Sequence, residues 1–301
     1  MTHSDVLNLE STRTARGPTL AIDAGLLCIM FVAALLSSSL TLLGETIRSA
    51  LLLVRELTGF MTNRKALAGS LAHYEFGAGK LEQAWNLAIA LAMVTAGLWL
   101  ASQAIDLMVT GESHATRRGL TLAATALALI TFHCGLSMLA DLRASEDRGT
   151  SARRAQLRPR AFRFASLLVI QLTMTLAALA KDPLIALLAD SLGATFVALL
   201  MATGGARLFV TTLSDLIDHP LNRRDEAYIA KLLLDVGVEE QELLDLRSRR
   251  SGRHIFVELT IDPVHASSFE EARQRMIRLR RELTDGRDDL DIAIKLRTSV
   301  G

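Results

Sequence analysis

The chain has few of the residues that build disulfide frameworks or metal sites. Its two cysteines, Cys28 and Cys134, lie in apolar runs, where a cysteine usually serves as a small buried hydrophobe. None of its seven histidines stands three or four residues from another, so no helical chelating pair is predicted. A Gly-rich phosphate loop and a nucleophile elbow are also absent. The sequence therefore predicts no enzyme and no permanently bound cofactor.

An excess of charge of one sign is missing as well. The 33 Lys and Arg residues balance 32 Asp and Glu residues, so no general basic field indicates nucleic-acid binding. Half of the residues (50%) are nevertheless hydrophobic, and the mean hydropathy is +0.31. Apolar residues dominate 19–209, whereas charged residues dominate 218–301. This segregation predicts a membrane part followed by a soluble part.

Six apolar stretches predict a bundle of transmembrane helices. A helix needs about 20 apolar residues to cross the hydrocarbon core of a bilayer. Residues 1–18 are polar and are predicted to form a mobile tail before the membrane domain at 19–209. Pro183 is well placed to begin the last helix. The predicted spans are 19–36, 40–60, 83–108, 119–142, 160–180 and 182–209.

Lysine and arginine are distributed unevenly between the linkers. Six spans place both termini on one side, where the linkers hold eleven of these residues, against three on the other side. Cytoplasmic loops are enriched in Lys and Arg, so both termini are predicted to be cytoplasmic, in a bacterial inner membrane. The eleven are Arg13, Arg16, Arg64, Lys65, Lys80, Arg143, Arg148, Arg153, Arg154, Arg158 and Arg160; the three are Arg117, Arg118 and Lys181.

The C-terminal region, 210–301, has a different pattern. Apolar positions at helical spacing predict helices at 222–235 and 268–284. Alternating or continuous apolar segments predict strands at 242–248, 254–261 and 290–296. The order αββαβ is typical of a ferredoxin-like α+β domain. The predicted fold is thus an all-α membrane bundle of six helices followed by a cytoplasmic ferredoxin-like domain.

Charged side chains interrupt the second predicted span. Glu45, Arg48, Arg55 and Glu56 fall with Ser49 on one stripe of the helix. A charged residue at the bilayer centre costs about 2.5–3.5 kcal/mol on insertion scales, so the stripe needs an explanation. Either it lines a polar pathway, or Glu45 and Arg48 neutralise each other. In the second case Arg55 and Glu56 lie near the cytoplasmic end and extend toward water.

Further polar residues fall inside the other predicted spans, namely Asp23, His133, Gln171 and Asp190. Asp190 either pairs with Arg48 across the bundle or is held by neighbouring hydroxyl groups. His133 is the only histidine of its span, and a lone histidine in an apolar helix is more often a hydrogen-bonded core residue than a metal ligand.

Three segments resemble motifs of the cation diffusion facilitator family. SSSLTLLGETIRS at 37–49 is similar to the start of that family's second span. YEFGAGKLE at 74–82 resembles the family's stretch before its third span. LIDHP at 216–220 and LRSRRSGRHIFVELTI at 246–261 resemble the entry into its cytoplasmic domain. The resemblance implies a dimeric exporter that exchanges divalent cations, chiefly zinc, manganese, iron and cobalt, for protons.

The resemblance also implies where the family's metal ligands would fall, and other residues occupy those positions. Lysine and arginine are protonated at neutral pH and offer no lone pair to zinc. Two charges do match the family, because Lys80 and Asp218 correspond to its interlock between the membrane and soluble domains. The transport-site positions fall at Arg48, Leu52, Phe162 and Ser166, the loop histidines at Tyr74 and Ala78, and the C-terminal zinc ligands at Thr260, Arg273, Lys295 and Arg297.

Three functional hypotheses remain open. The first is an exporter of divalent cations by proton exchange, whose oxygen ligands suit manganese or magnesium better than zinc. The second is a transport-deficient member with a structural or regulatory role, paired with an active relative. The third is transport of another solute, with Arg48 binding an anion. The expected partners are the lipid bilayer and a second copy of the chain, and the pathway candidates are Glu45, Arg48, Ser49, Ser166, Gln171 and Asp190.

Overall fold

The membrane part of the chain is built from long helices. The computed structural model describes residues 3–67, 79–111, 115–146, 151–217, 229, 231, 243–251, 254–261, 273–274, 277–278, 280–281 and 290–296. Its long helices are α1 (His3–Ser37), α2 (Leu40–Leu67), α3 (Gly79–Thr110), α4 (Arg117–Glu146), α5 (Ser151–Leu179) and α6 (Pro183–Leu216). Each of the six predicted spans therefore lies on a helix. Helix α1 starts at His3, so the residues of the predicted tail from His3 onward are helical, and the mobility of that tail stays a prediction.

Five of these helices are long and apolar enough to cross a membrane. The qualifying segments are Leu20–Ser37, Lys80–Thr110, Arg117–Ala140, Arg158–Leu179 and Pro183–Leu216. Helix α2, with 28 residues, is long enough, but no part of it is apolar enough to meet the same criterion. The four charges between Glu45 and Glu56 explain this difference. The second predicted span is thus a helix whose composition alone does not identify it as a membrane span.

The chain divides into two compact units. Unit 1 comprises Met1–Thr58 and Ile89–Arg207, and unit 2 comprises Gly59–Ala88 and Leu208–Gly301. The hydrophobic core of unit 1 is rich in alanine, with Ala104, Ala123 and Ala194 completely buried. Small residues let helices approach closely inside a membrane, where burial of apolar surface does not itself drive helix association.

Glycines mark the closest helix contacts of unit 1. A Cβ on Gly97 of α3 would lie 3.0 Å from the Ala198 carbonyl oxygen of α6, and one on Gly205 would lie 3.0 Å from the Ala90 oxygen. Helices α3 and α6 therefore pack backbone against backbone. Helix α6 makes a second close contact at Gly193, where it meets α2 and α5.

Replacing Gly193 with alanine should destabilise unit 1. The new Cβ would lie 2.5 Å from Thr41 Oγ1 and 2.7 Å from Thr173 Oγ1, so two helices would have to move. Overpacking of this kind costs about 1–3 kcal/mol. Gly25→Ala is the matched control, because no atom lies within 4 Å of its Cβ position. Thermal unfolding in detergent should show a lower midpoint for Gly193→Ala only; equal midpoints for both variants would contradict the packing argument.

Unit 2 contains a three-stranded sheet. Strands β1 (Leu243–Ser251), β2 (His254–Ile261) and β3 (Leu290–Leu296) lie in the order β1-β2-β3. The first pair is antiparallel and the second is parallel. Ile255, Val257 and Leu259 are buried at alternate positions of β2. The three predicted strands are confirmed to within three residues at each end.

The remaining predictions for this region stay open. Most of the predicted helices at 222–235 and 268–284 lies outside the described residues, so the ferredoxin-like fold is still a prediction. Asp218 also lies outside them, and its interlock with Lys80 stays a prediction for the same reason. Among the described residues, Gln83 of α3 donates a hydrogen bond of 2.9 Å to Asp215 of α6, which ties these two helix ends together within unit 2.

Candidate functional site

Helices α1 and α2 are joined by a short turn whose backbone is fixed by α6. Ser38 has a φ of 52°, a left-handed conformation that is uncommon outside glycine. The Asp190 carboxylate of α6 then accepts hydrogen bonds from the Ser39 hydroxyl at 2.7 Å and from the backbone N–H groups of Leu40 at 3.0 Å and Thr41 at 3.1 Å. Asp190 therefore caps the N-terminus of α2 from a neighbouring helix.

This cap stabilises α2 in two ways. The first N–H groups of a helix have no partner within the helix, and a carboxylate is favoured at that end of the helix dipole. The Thr41 hydroxyl also donates to the Asp190 carbonyl oxygen at 2.5 Å. The sequence left open whether Asp190 pairs with Arg48 or is held by neighbouring hydroxyl groups. The structure shows the hydroxyl groups of Ser39 and Thr41 as its partners, whereas Arg48 has a different partner.

That partner is Glu45, one helical turn earlier on α2. The Arg48 Nε and Nη2 atoms donate to the two oxygens of the Glu45 carboxylate, each at 2.7 Å. Ser49 adds a third hydrogen bond to Glu45, at 3.2 Å. The Glu45 and Arg48 side chains are only 1% and 8% exposed. The two charges therefore neutralise each other in a buried bidentate pair, whereas Arg55 and Glu56 are exposed.

A cavity of about 630 Å³ begins at this ion pair. Along α2 it is lined from Arg48 to Glu56, a distance of about 12 Å at the usual helical rise. It lies in the half of unit 1 away from the α1–α2 turn, and every residue that lines it belongs to unit 1. On the other side of Arg48, toward the turn, the polar side chains of Ser39, Thr41 and Asp190 are buried.

The cavity is lined by charged as well as apolar side chains. Asp23 of α1 and His133 of α4 face each other, with 3.9 Å between Asp23 Oδ1 and His133 Nε2. Both had been identified from the sequence as polar residues within spans. The other charged residues that line the cavity are Arg48, Glu56, Arg160, Arg163 and Arg207.

Three of the four positions implied for transport-site ligands lie in the lining of this cavity. Arg48, Leu52 and Phe162 line the cavity, and none of these side chains suits a metal ion. Ser166 is buried and donates to the Arg163 carbonyl oxygen at 2.7 Å. No cluster of three or more His, Cys, Asp or Glu side chains able to hold a metal ion occurs among the residues that the structure describes.

The sequence of this domain matches a known family model. The model of the cation efflux transmembrane domain matches residues 19–217, about two thirds of the chain. The chain belongs to the cation efflux family. It is therefore an integral, multi-pass membrane protein of the cation-transporter type, from a family of transporters rather than enzymes. No curated protein matches the chain.

Two pathway candidates take different places in this cation efflux domain. Gln171 lines a second, mostly apolar cavity of about 520 Å³ between α4 and α5. Its amide nitrogen donates to the Ala124 carbonyl oxygen at 3.2 Å and to the Thr175 hydroxyl at 3.0 Å. Neither Gln171 nor Ser166 lines the cavity at Arg48. Of the six candidates, the structure brings Glu45, Arg48 and Ser49 together.

The implied metal positions of the C-terminal sheet are only partly described. Lys295 of β3 pairs in register with Thr260 of β2, and its ammonium group forms an ion pair with Glu258. This lysine therefore has a carboxylate partner at a position where the resemblance implied a zinc ligand. Tyr74, Ala78 and Arg297 lie outside the described residues.

Sequence reasoning missed two arginines of the main cavity. Arg163 and Arg207 both fall inside predicted spans, at 160–180 and 182–209. The cost of a charge inside a membrane span should have singled them out, as it singled out Arg48. Their spacing along the chain gave no indication that α5 and α6 turn them toward the same cavity.

Proposed function

We propose that the chain exports divalent metal cations from the cytoplasm in exchange for protons, through the cavity that begins at Arg48. The observation that carries this proposal is the presence of Asp23, Glu56 and His133 in a cavity of the cation efflux domain. Ionisable side chains within membrane helices commonly mark ion pathways. Carboxylate oxygens favour hard cations, so manganese or magnesium is the expected cargo rather than zinc.

Proton exchange is supported by the pair formed by Asp23 and His133. Chains of Asp, Glu and His side chains serve as proton relays in membrane pumps and transporters. A cation near Asp23 would compete with a protonated His133 imidazole for the same carboxylate. We further propose a homodimer in a bacterial inner membrane. The distribution of Lys and Arg favours a cytoplasmic location of both termini.

Flux measurements on purified protein in proteoliposomes test this proposal. We expect saturable uptake of manganese that depends on a pH gradient, and at least a tenfold loss of rate in Asp23→Asn and Glu56→Gln, because each removes a carboxylate from the cavity. Asp106→Asn is the matched control, since Asp106 is an exposed carboxylate of α3 that does not line the cavity. Equal losses in all three variants would contradict a pathway through the cavity.

A second function is favoured by one specific observation. The guanidinium group of Arg48 occupies an implied ligand position, is held by the Glu45 carboxylate and offers no lone pair to a metal ion. A transport-deficient protein that acts as a structural or regulatory partner of an active relative would tolerate this change. Folded, dimeric protein that shows no flux with manganese, magnesium, zinc, cobalt or iron(II) would exclude export by the chain alone and support this second function.

A further inference from the structure

Buried polar side chains continue beyond the inner end of the main cavity. Along α2 the cavity lining extends from Glu56, which is exposed, to Arg48, which is buried. Closer to the α1–α2 turn, Ser39, Thr41 and Asp190 are buried and lie outside the cavity lining. Polar side chains within a membrane domain are costly and commonly mark a pathway. The polar residues therefore extend further across unit 1 than the open cavity does.

Ser191 of α6 is a second sign that this closed part is polar for a reason. The residue follows Asp190 directly and is completely buried. Within the described part of the chain, its hydroxyl group has no hydrogen-bond partner. Buried hydroxyl groups in folded proteins nearly always have such a partner. A hydroxyl group that meets water in another conformation of the domain would account for this exception.

The α1–α2 turn is held closed from two sides. On one side, Asp190 joins α6 to residues 39–41 by four hydrogen bonds. On the other side, α4 packs against the turn so closely that a Cβ on Gly119 would lie 2.7 Å from the Ser37 carbonyl oxygen. The contact with α6 thus depends on the hydrogen bonds of a single residue, whereas the contact with α4 depends on steric packing.

We infer that the Asp190 cap is a gate, which closes the pathway at the α1–α2 turn in this structure. When Asp190 releases residues 39–41, the polar residues beyond Arg48 become accessible from the side of the turn. With the cap in place, the cavity communicates with the side on which Glu56 is exposed. The inference rests on the proposed function for the existence of a pathway, and it adds the residue that controls one end of it.

The reactivity of a single buried cysteine tests this gate in the full-length protein. Cys28→Ser and Cys134→Ser remove the native thiols, and Ser191→Cys introduces a thiol where no hydrogen bond is lost. A small, charged methanethiosulfonate reagent is added to protein purified in neutral detergent, and mass spectrometry follows the modification. Rates are compared with the cap intact and in Asp190→Ala. Leu127→Cys is the reference thiol, because Leu127 is completely buried in the apolar core.

We expect the thiol of Ser191→Cys to react about tenfold faster or more in Asp190→Ala, because loss of the cap raises the population of the released conformation. The thiol of Leu127→Cys should stay protected in both backgrounds. Asp182→Ala is the matched control, since it removes a carboxylate from the exposed start of α6 and should leave the rate unchanged. Equal rates with and without the cap, or an equal increase at Leu127→Cys, would overturn the gate.

The outcome is independent of metal transport, since the reagent reports access rather than flux. Faster modification in Asp190→Ala, in protein that transports no metal, would support the gate and contradict cation export. Metal flux combined with equal rates of modification would overturn the gate alone. If Ser191→Cys does not fold, Ala194→Cys takes its place, because Ala194 is completely buried one helical turn from Asp190 on the same face of α6.

Discussion

Replacing Glu45 with leucine should destabilise unit 1 by about 3–5 kcal/mol, because it leaves the Arg48 guanidinium buried without its counter-charge. Arg48 is 6% exposed, and within the described part of the chain its guanidinium donates two hydrogen bonds, both to the Glu45 carboxylate. Equilibrium unfolding in mixed detergent micelles, followed by the fluorescence of Trp99 of the same unit in a Trp85→Phe background, measures the loss.

Two further variants separate the charge from the loss of packing. Glu45→Leu combined with Arg48→Met replaces the whole pair by apolar side chains and should recover most of the lost stability, since buried ion pairs can be replaced in this way. Arg55→Met removes an exposed arginine of the same helix and should change the free energy of unfolding by about 0.5 kcal/mol or less. If Glu45→Leu is as mild as Arg55→Met, the pair is not buried in the membrane.

Replacing Asp190 with alanine should have a similarly large effect, about 3 kcal/mol. The substitution removes the acceptor for the Ser39 hydroxyl and for the backbone N–H groups of Leu40 and Thr41. These donors are buried or half-buried, so water does not fully replace the lost acceptor. The midpoint of thermal unfolding in detergent should fall by more than for Gly193→Ala.

The matched control for this cap is Asp182. Its Oδ1 atom accepts from the Leu184 N–H at 2.9 Å, at the exposed start of α6, so water can replace it after Asp182→Ala. We expect a loss of about 1 kcal/mol or less there. The loss of stability for Asp190→Asn should lie between those of the two alanine variants. The asparagine carbonyl oxygen can replace Oδ1 as an acceptor, but its NH2 group would face the Leu40 N–H, which would lose its acceptor. A midpoint for Asp190→Ala equal to that of Asp182→Ala would contradict the cap.

Local features of this protein could be predicted from the sequence. The alternation in HIFVELTI identified β2, and apolar length identified the helices. The spacing of Glu45 and Arg48 permitted a pair on one helix face, which the structure contains. Each of these features depends on residues close together in the chain, where the period of the secondary structure determines which side chains meet.

Contacts between distant segments could not be predicted in the same way. Asp190 meets Ser39 across 151 residues, and no local pattern specifies that α6 packs against the α1–α2 turn. The convergence of Arg163 and Arg207 depends on the rotation of α5 and α6 about their axes. The residues before Leu20 are too polar to predict a membrane helix, yet helix α1 includes them from His3 onward.

The cap between α6 and α2 restricts how these two helices can move. Four hydrogen bonds join Asp190 to Ser39 and to the first turn of α2, and Gly193, one turn further along α6, leaves no space for a sideways shift. A small displacement would break several bonds without forming others. The two helices therefore either stay together as a rigid pair or separate completely at this end, so a conformational change of the domain would switch between discrete states rather than pass through a continuum.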